Sequence, residues 1–347
     1  HLKSSGISLH LGSPVTRFQQ LGTGKILITL ASGETERVDM AILSVGVRPE
    51  IELARSAGLK IGALGGIQVD KFMQTSDPHI WAVGDAVEVK DCITGSNNLI
   101  PLAGPANRQG RVAADAISGR PGISGFRGVQ ATAVCGVMGM TVASTGVTEK
   151  TLRKTRINDK PVAYEKIYAH PDHTATYYPG SQTIMIKLLF SPHDGRIFGA
   201  QAVGTQGVEK RIDVISMAIQ KQGTVFDLEE AELCYAPQYG AAKDPVNIVG
   251  MIASNVVRKE CAVTHWTELG QSDVYLLDTR TPEEYEKGHI DAAVNISIES
   301  LRQRLSELPR DREIWTYCLV GKRSYFAAKL LANAGFKVRN LSGGYMV

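Results

Sequence analysis

Cys318-Leu-Val-Gly-Lys-Arg323 is a cysteine and an arginine separated by four residues, set where a strand hands over to a helix. Glu313-Ile-Trp-Thr-Tyr317 reads as a short buried strand, and Ser324 to Ala334 reads as a helix with apolar residues near a 3.6 period. A loop in that position wraps its backbone N–H groups around one sulfur, and the following helix adds the positive end of its dipole. Those fields favour a thiolate, which is the nucleophilic form. A persulfide on Cys318 would carry a negative charge that the same cradle, Leu319, Val320, Gly321 and Lys322, would hold. Arg323 is placed to close the loop and fix an anionic sulfur donor. The cysteine itself is expected in a surface loop. A lone cysteine more often merely ends a buried strand, so the surrounding segments have to decide.

They resemble a rhodanese (sulfurtransferase) domain. Val274 to Asp278 with Thr279-Arg280 matches that family's opening strand and Asp-x-Arg signature, Gly288-His289-Ile290 with Asn295-Ile296 matches the run that follows, and Leu341-Ser-Gly343-Gly344-Tyr345 matches the segment after the next strand. The resemblance covers roughly residues 262–347. Asp278, Arg280 and His289 read as structural, because short polar residues at strand ends usually brace turns. The resemblance leads one to expect a further helix after Val347.

Composition bounds the remainder. A chain of 347 residues accommodates two or three domains. Its 21% charged and 43% hydrophobic residues are ordinary for a globular protein, and a net charge of +3 is too small to point to nucleic acid. No stretch approaches the roughly 18 apolar residues of a membrane span, and no signal peptide is evident. Five widely spaced cysteines argue against a disulfide framework and for a cytoplasmic location. None of them has zinc-ligand spacing, so no metal is expected.

Upstream, His1 to Leu11 reads as the end of a helix leading into a strand. Lys25–Thr29 and Val38–Val45 read as strands, with Gly22-Thr-Gly24 and Ser32-Gly33 as turns. Ala41-Ile-Leu-Ser-Val-Gly46-Val-Arg48-Pro49 is an apolar strand ending in a turn. Gln74 to Ala86 is a turn, a strand over Ile80–Val83, then Gly84-Asp85 at the strand's end. Together these segments resemble the C-terminal half of the pyridine nucleotide–disulfide oxidoreductase flavoproteins. The resemblance implies that Asp85 hydrogen-bonds the ribityl chain of FAD, with Gly84 allowing close backbone approach. It also implies that Leu102 and Ala103, opening a helix to about Ile117, face the flavin ring with backbone N–H groups. The alternative for Asp85 is a simple turn cap, and for Leu102 an ordinary helix start. The Gly-x-Gly-x-x-Gly fingerprints for FAD and NAD(P)H and the redox cysteine of that family have no counterpart here, so the chain reads as a fragment.

Residues 125–258 resemble the same family's dimerisation domain. The cues are strands Thr183–Phe190 and Ile197–Gly204 around an Asp194-Gly195 turn, then an amphipathic helix from Val208 to Lys221 carrying Ile212, Ile215, Met217 and Ile219. His170 to Gly180 and Leu233 to Asn247 resemble the coenzyme A–disulfide reductase branch, including its rhodanese fusions. That resemblance implies that Tyr177 and Tyr235 reach the partner subunit's flavin site, where a phenol can give a proton to a leaving thiolate; the alternative is half-buried packing tyrosines. Cys234 is expected in the core, and His170 and His173 as surface or packing residues.

The expected fold is therefore α/β and α+β: a partial two-dinucleotide-domain flavoprotein, an α+β dimerisation domain and a parallel-sheet rhodanese domain. The expected divisions are 1–50 for the tail of the NAD(P)H-binding domain, 51–124 for the second FAD segment, 125–258 for dimerisation and 259–347 for rhodanese. The resemblance implies a homodimeric reductase of CoA-disulfide, CoA-persulfide or polysulfide that uses FAD, NAD(P)H and coenzyme A. The alternatives are an NADH oxidase or peroxidase of similar fold, and a non-catalytic dimerisation or sulfur-binding module.

Overall fold

A computed structural model describes every residue except Thr23, Asn158, Gln271 and Ser272. The first residues form a 3₁₀ turn, Lys3–Ser5, followed by an antiparallel meander of Val15–Gln20, Ile26–Leu30 and Thr35–Val38. The expected strand over Val38–Val45 does not form past Val38. Ile42, Leu43 and Val45 are 83%, 72% and 93% exposed. A strand exists only where another strand satisfies its N–H and C=O groups, and none of the described residues pairs with this run. The same reason removes the strand expected at Ile80–Val83, where one isolated bridge joins Gln74 to Trp81. The strand lies instead after Gly84-Asp85, as Val87–Lys90, between Ile67–Gln68 and Asn97–Asn98. Helix Ala103–Ile117 follows.

The centre of the molecule is a five-stranded antiparallel sheet in the order Glu165–Ala169, Met185–Phe190, Ile197–Gly204, Met140–Gly146, Ala133–Val137. Apolar alternation drives it: Ile186, Leu188 and Phe190 are fully buried. Helices Val208–Gln220 and Pro245–Val257 cover the sheet. Ile212, Ile215 and Ile219, spaced by three and four, point into this core, while Met217 turns outward. Full burial of each isoleucine contributes about 1.5–3 kcal/mol.

The last region is an all-parallel sheet in the order Val263–Thr264, Val338–Leu341, Ile314–Tyr317, Tyr275–Asp278, Val294–Asn295. Every residue of the central strand Ile314–Tyr317 is buried, as parallel sheets require. Helix Lys322–Asn333 leaves the C-terminal end of that strand, the end where α/β sheets carry their sites. The two sheets touch through polar contacts. The Tyr168 N–H donates to Ser342 Oγ at 2.9 Å, and His265 Nε2 lies 2.9 Å from Glu165 Oε1.

Candidate active site

The loop after Ile314–Tyr317 curls around its own cysteine. Cys318 is wholly buried, not a surface residue, because the chain closes over it from behind. Its Sγ accepts the Gly321 N–H at 3.2 Å and the Ser324 hydroxyl at 3.6 Å. Gly321 is the N-cap of the helix and takes a φ of 89°, open to glycine at little cost. The Gly343-Gly344 turn forms the back wall. The Tyr345 N–H donates to the Cys318 carbonyl at 2.8 Å, and the Met346 N–H to the Leu319 carbonyl at 3.1 Å. Asn340 Nδ2 donates to the Gly321 carbonyl at 3.3 Å. Leu319 and Lys322 are exposed at the rim and Val320 is half-buried.

Arg323 does not hold a free charge over the loop. Its Nη1 and Nη2 donate to the two carboxylate oxygens of Glu284, each at 2.7 Å. Glu284 is itself held by the capping box of helix Pro282–Glu286, where its Oε2 accepts the Thr281 N–H at 3.0 Å. The Arg323 guanidinium holds the Glu284 carboxyl down to about 2. Arg323 therefore meets the loop already paired: a carboxylate occupies two of its N–H groups, and its guanidinium also lies against the Cys318 side chain.

Asp278, Arg280 and His289 brace the framework. Arg280 donates to both Asp278 oxygens and, at 2.7 Å, to the Gly288 carbonyl, and lies 4.6 Å over the Tyr345 ring. His289 stacks on Tyr285 with ring centroids 3.7 Å apart.

A second constellation forms in the central region. The Tyr177 and Tyr235 hydroxyls lie 3.2 Å apart, although 58 residues separate them in sequence. Both are open to solvent, at 74% and 49% exposure. The hydrogen bond shared with Tyr177 pushes the Tyr235 hydroxyl up. Arg211, fully buried on helix Val208–Gln220, holds the two segments together. Its Nη2 donates to the His173 carbonyl at 2.7 Å and to Asp244 Oδ2 at 2.8 Å, and its Nε donates to Asp244 Oδ1 at 3.2 Å. Asp244 also caps helix Pro245–Val257, and the Ala175 N–H donates to the Gly240 carbonyl at 2.8 Å. The Asp244-Pro245 pair is a legible helix start, but nothing in the sequence marks Arg211 as its partner. His173 packs inside, with its Nδ1 accepting the Gln182 N–H at 2.9 Å. Cys234 is exposed beside Tyr235, contrary to the core position expected, because its segment is an irregular surface loop. Cys261 is the other buried cysteine, and burial pushes its thiol up to about 11.

Gly84, Asp85, Leu102 and Ala103 form a third group. The Gly84 N–H donates to the buried Oε1 of Gln109 at 2.7 Å, which pins Gly84-Asp85 against helix Ala103–Ile117. Gly84 has a φ of 88°, and Asp85 is exposed beside it. Leu102, the N-cap, offers no side-chain acceptor to the first-turn N–H groups. Among the described residues no group of three or more His, Cys, Asp or Glu is arranged to hold a metal, and no helix is long and apolar enough to cross a membrane.

Comparison with known proteins agrees with this architecture. Residues 1–110 match the pyridine nucleotide-disulphide oxidoreductase family, residues 132–244 its dimerisation domain, and residues 263–347 the rhodanese-like domain. An NADH oxidase of Methanocaldococcus jannaschii is 38% identical over 72% of this chain and 53% of its own length. A coenzyme A disulfide reductase of Staphylococcus aureus is 34% identical over 64% of this chain and 49% of its own length. The chain thus spans about half the length of the curated relatives it matches. The crystal structure of reduced Bacillus anthracis CoADR-RHD superposes with a TM-score of 0.94 at 43% identity, over 99% of this chain and 61% of that one. A NAD-dependent persulfide reductase from A. fulgidus superposes with a TM-score of 0.89 at 37% identity, over 99% and 62%. The chain belongs to the pyridine nucleotide-disulphide oxidoreductase family and carries a rhodanese-like domain over residues 263–347.

Proposed function

We propose that this chain serves in a homodimeric, cytoplasmic reductase of CoA-disulfide, CoA-persulfide or polysulfide, in which the rhodanese-like domain carries sulfane sulfur on Cys318. The observation that carries the reading is the Cys318 sulfur enclosed by the Gly321 N–H, the Ser324 hydroxyl and the Gly343-Gly344 wall. In this reading the Cys318 thiolate attacks the outer sulfur of a donor. A new S–S bond forms at Cys318, the donor's S–S bond breaks, and the donor's electron pair leaves with its thiolate. The loop N–H groups and the helix N-terminus hold the sulfur charge throughout.

The tyrosine pair would act on the reductive side. Two phenols 3.2 Å apart can give a proton to a leaving thiolate and share the resulting charge. The Arg211–Asp244 clamp acts through them, by holding the two loops in register. FAD fits the third group: Asp85 is free to accept from ribityl hydroxyls, and the uncapped N–H groups after Leu102 and Ala103 can face an electron-rich ring edge. When bound, FAD supplies electrons drawn from NAD(P)H to the disulfide chemistry. All five cysteines are free thiols, which supports a reducing compartment.

The experiment is mass spectrometry of the chain after incubation with a persulfide donor. The Cys318 peptide should gain one sulfur, and Cys318→Ser should gain none. A label on Cys261 or Cys234 in place of Cys318 would overturn the assignment. A second reading, an NADH oxidase, is favoured by the name of the M. jannaschii relative. Oxygen consumption with NADH, undiminished in the absence of any disulfide or persulfide, would favour it.

A further inference from the structure

The Arg323–Glu284 pair bears on which donor the loop accepts. Two charged groups stand at the mouth with fixed geometry, and they cancel. Arg323 Nη1 and Nη2 each donate to one Glu284 oxygen at 2.7 Å, with each side chain about one-third exposed. The carboxylate cannot swing away freely, because its Oε2 also accepts the Thr281 N–H at 3.0 Å. The nearby Arg280 guanidinium is likewise compensated, by the buried Asp278. Lys322 is exposed on the rim, and a freely solvated ammonium gives a donor little fixed attraction. Leu319 and Met346, joined by the Met346 N–H to Leu319 carbonyl bond, add exposed apolar surface beside the loop.

We propose that Glu284 is a specificity-determining residue. By neutralising Arg323 it sets the sulfur loop to take sulfur from alkyl persulfides, which accept a thiolate's attack in their neutral R–S–SH form, and to disfavour the thiosulfate dianion. The inference rests on the sulfur-carrier reading of Cys318. Both transfers balance without a co-reactant. With an alkyl persulfide, Cys–S⁻ and R–S–SH give Cys–S–SH and R–S⁻. With thiosulfate, Cys–S⁻ and S–SO₃²⁻ give Cys–S–S⁻ and sulfite. In the second case three negative charges converge on one loop, and a guanidinium already paired to a carboxylate does little to offset them.

The test compares thiosulfate with ethyl persulfide, which carries no other charged group, as donor and cyanide as acceptor, using the full chain. Glu284→Gln keeps an oxygen for the Thr281 N–H and removes the charge. Its kcat/KM for thiosulfate should rise about tenfold or more, and the gain should shrink at high salt. Its kcat/KM for ethyl persulfide should stay within about twofold of wild type. Glu284→Asp, which keeps the charge, should keep the wild-type preference. A merely structural role would lower both donors by the same factor together with the melting temperature, and that result overturns the proposal. Wild-type chain that transfers sulfur from neither donor would instead overturn the sulfur-carrier reading, and the inference with it.

Discussion

Replacing Gly344 by alanine should open the sulfur loop from behind. Gly344 has a φ of 67°, and a Cβ built on it would lie 2.7 Å from the Gly321 nitrogen, 2.8 Å from the Leu319 oxygen and closer still to the Cys318 oxygen. All three atoms are backbone, so no side chain can swing aside to relieve the contact. The left-handed conformation costs alanine about 1 kcal/mol, and overpacking of this kind about 1–3 kcal/mol, so the clash is the larger part. The least costly relief is for the Gly343-Gly344 turn to retreat. That gives up the Tyr345 N–H to Cys318 and Met346 N–H to Leu319 hydrogen bonds, which hold the loop shut. Gly335→Ala is the control: its φ is 81°, yet the nearest atom to its Cβ is Arg310 Nη1 at 4.0 Å. It should show the conformational cost alone, about 1 kcal/mol. Thermal unfolding would measure both variants, and mass spectrometry after persulfide treatment would measure sulfur on Cys318. Gly344→Ala should lose clearly more stability than Gly335→Ala and load little sulfur. Equal stability loss in the two, with normal loading in both, would refute the back-wall argument.

Three further outcomes are expected. In the full-length reductase proposed above, Tyr177→Phe and Tyr235→Phe should each slow disulfide reduction about 100-fold or more while flavin reduction by NAD(P)H keeps its rate, as stopped-flow absorbance would show; wild-type rates would make them packing residues. Asp244→Ala should cost about 3–5 kcal/mol in urea unfolding, because it leaves the buried Arg211 charge uncompensated; a loss below about 1 kcal/mol would contradict the clamp. Burial alone would push the Glu149 carboxyl up, but hydrogen bonds from Lys166, Lys187 and Arg153 hold it far below its usual 4.5. A carboxyl depressed in the folded state stabilises above its unfolded value and loses that contribution as pH falls. The stability gap between wild type and Glu149→Gln should therefore narrow as pH drops from about 6 to about 3, and a gap that widens on acidification would reverse the sign.

Much of this protein was legible in the chain alone, and the legible parts share a cause. The strand Ile314–Tyr317, the turn at Gly321 and the helix beginning at Lys322 are set by residues within a few positions of one another, so periodicity and turn chemistry suffice to read them. The same holds for the helix at Ala103 and for the strands flanking Asp194-Gly195. Tertiary structure decided what depends on a distant partner. Whether Ala41–Val45 becomes a strand depends on a neighbour to pair with, not on its apolar residues. Arg323 reads as a free cation until the fold brings Glu284, 39 positions away, into its fork. Arg211 is an unremarked basic residue in an amphipathic helix until Asp244 and the His173 carbonyl close around it. Local sequence selects conformations through short-range sterics and hydrogen bonds. The state of a charge and the pairing of a strand are settled by groups that only long-range packing brings into contact.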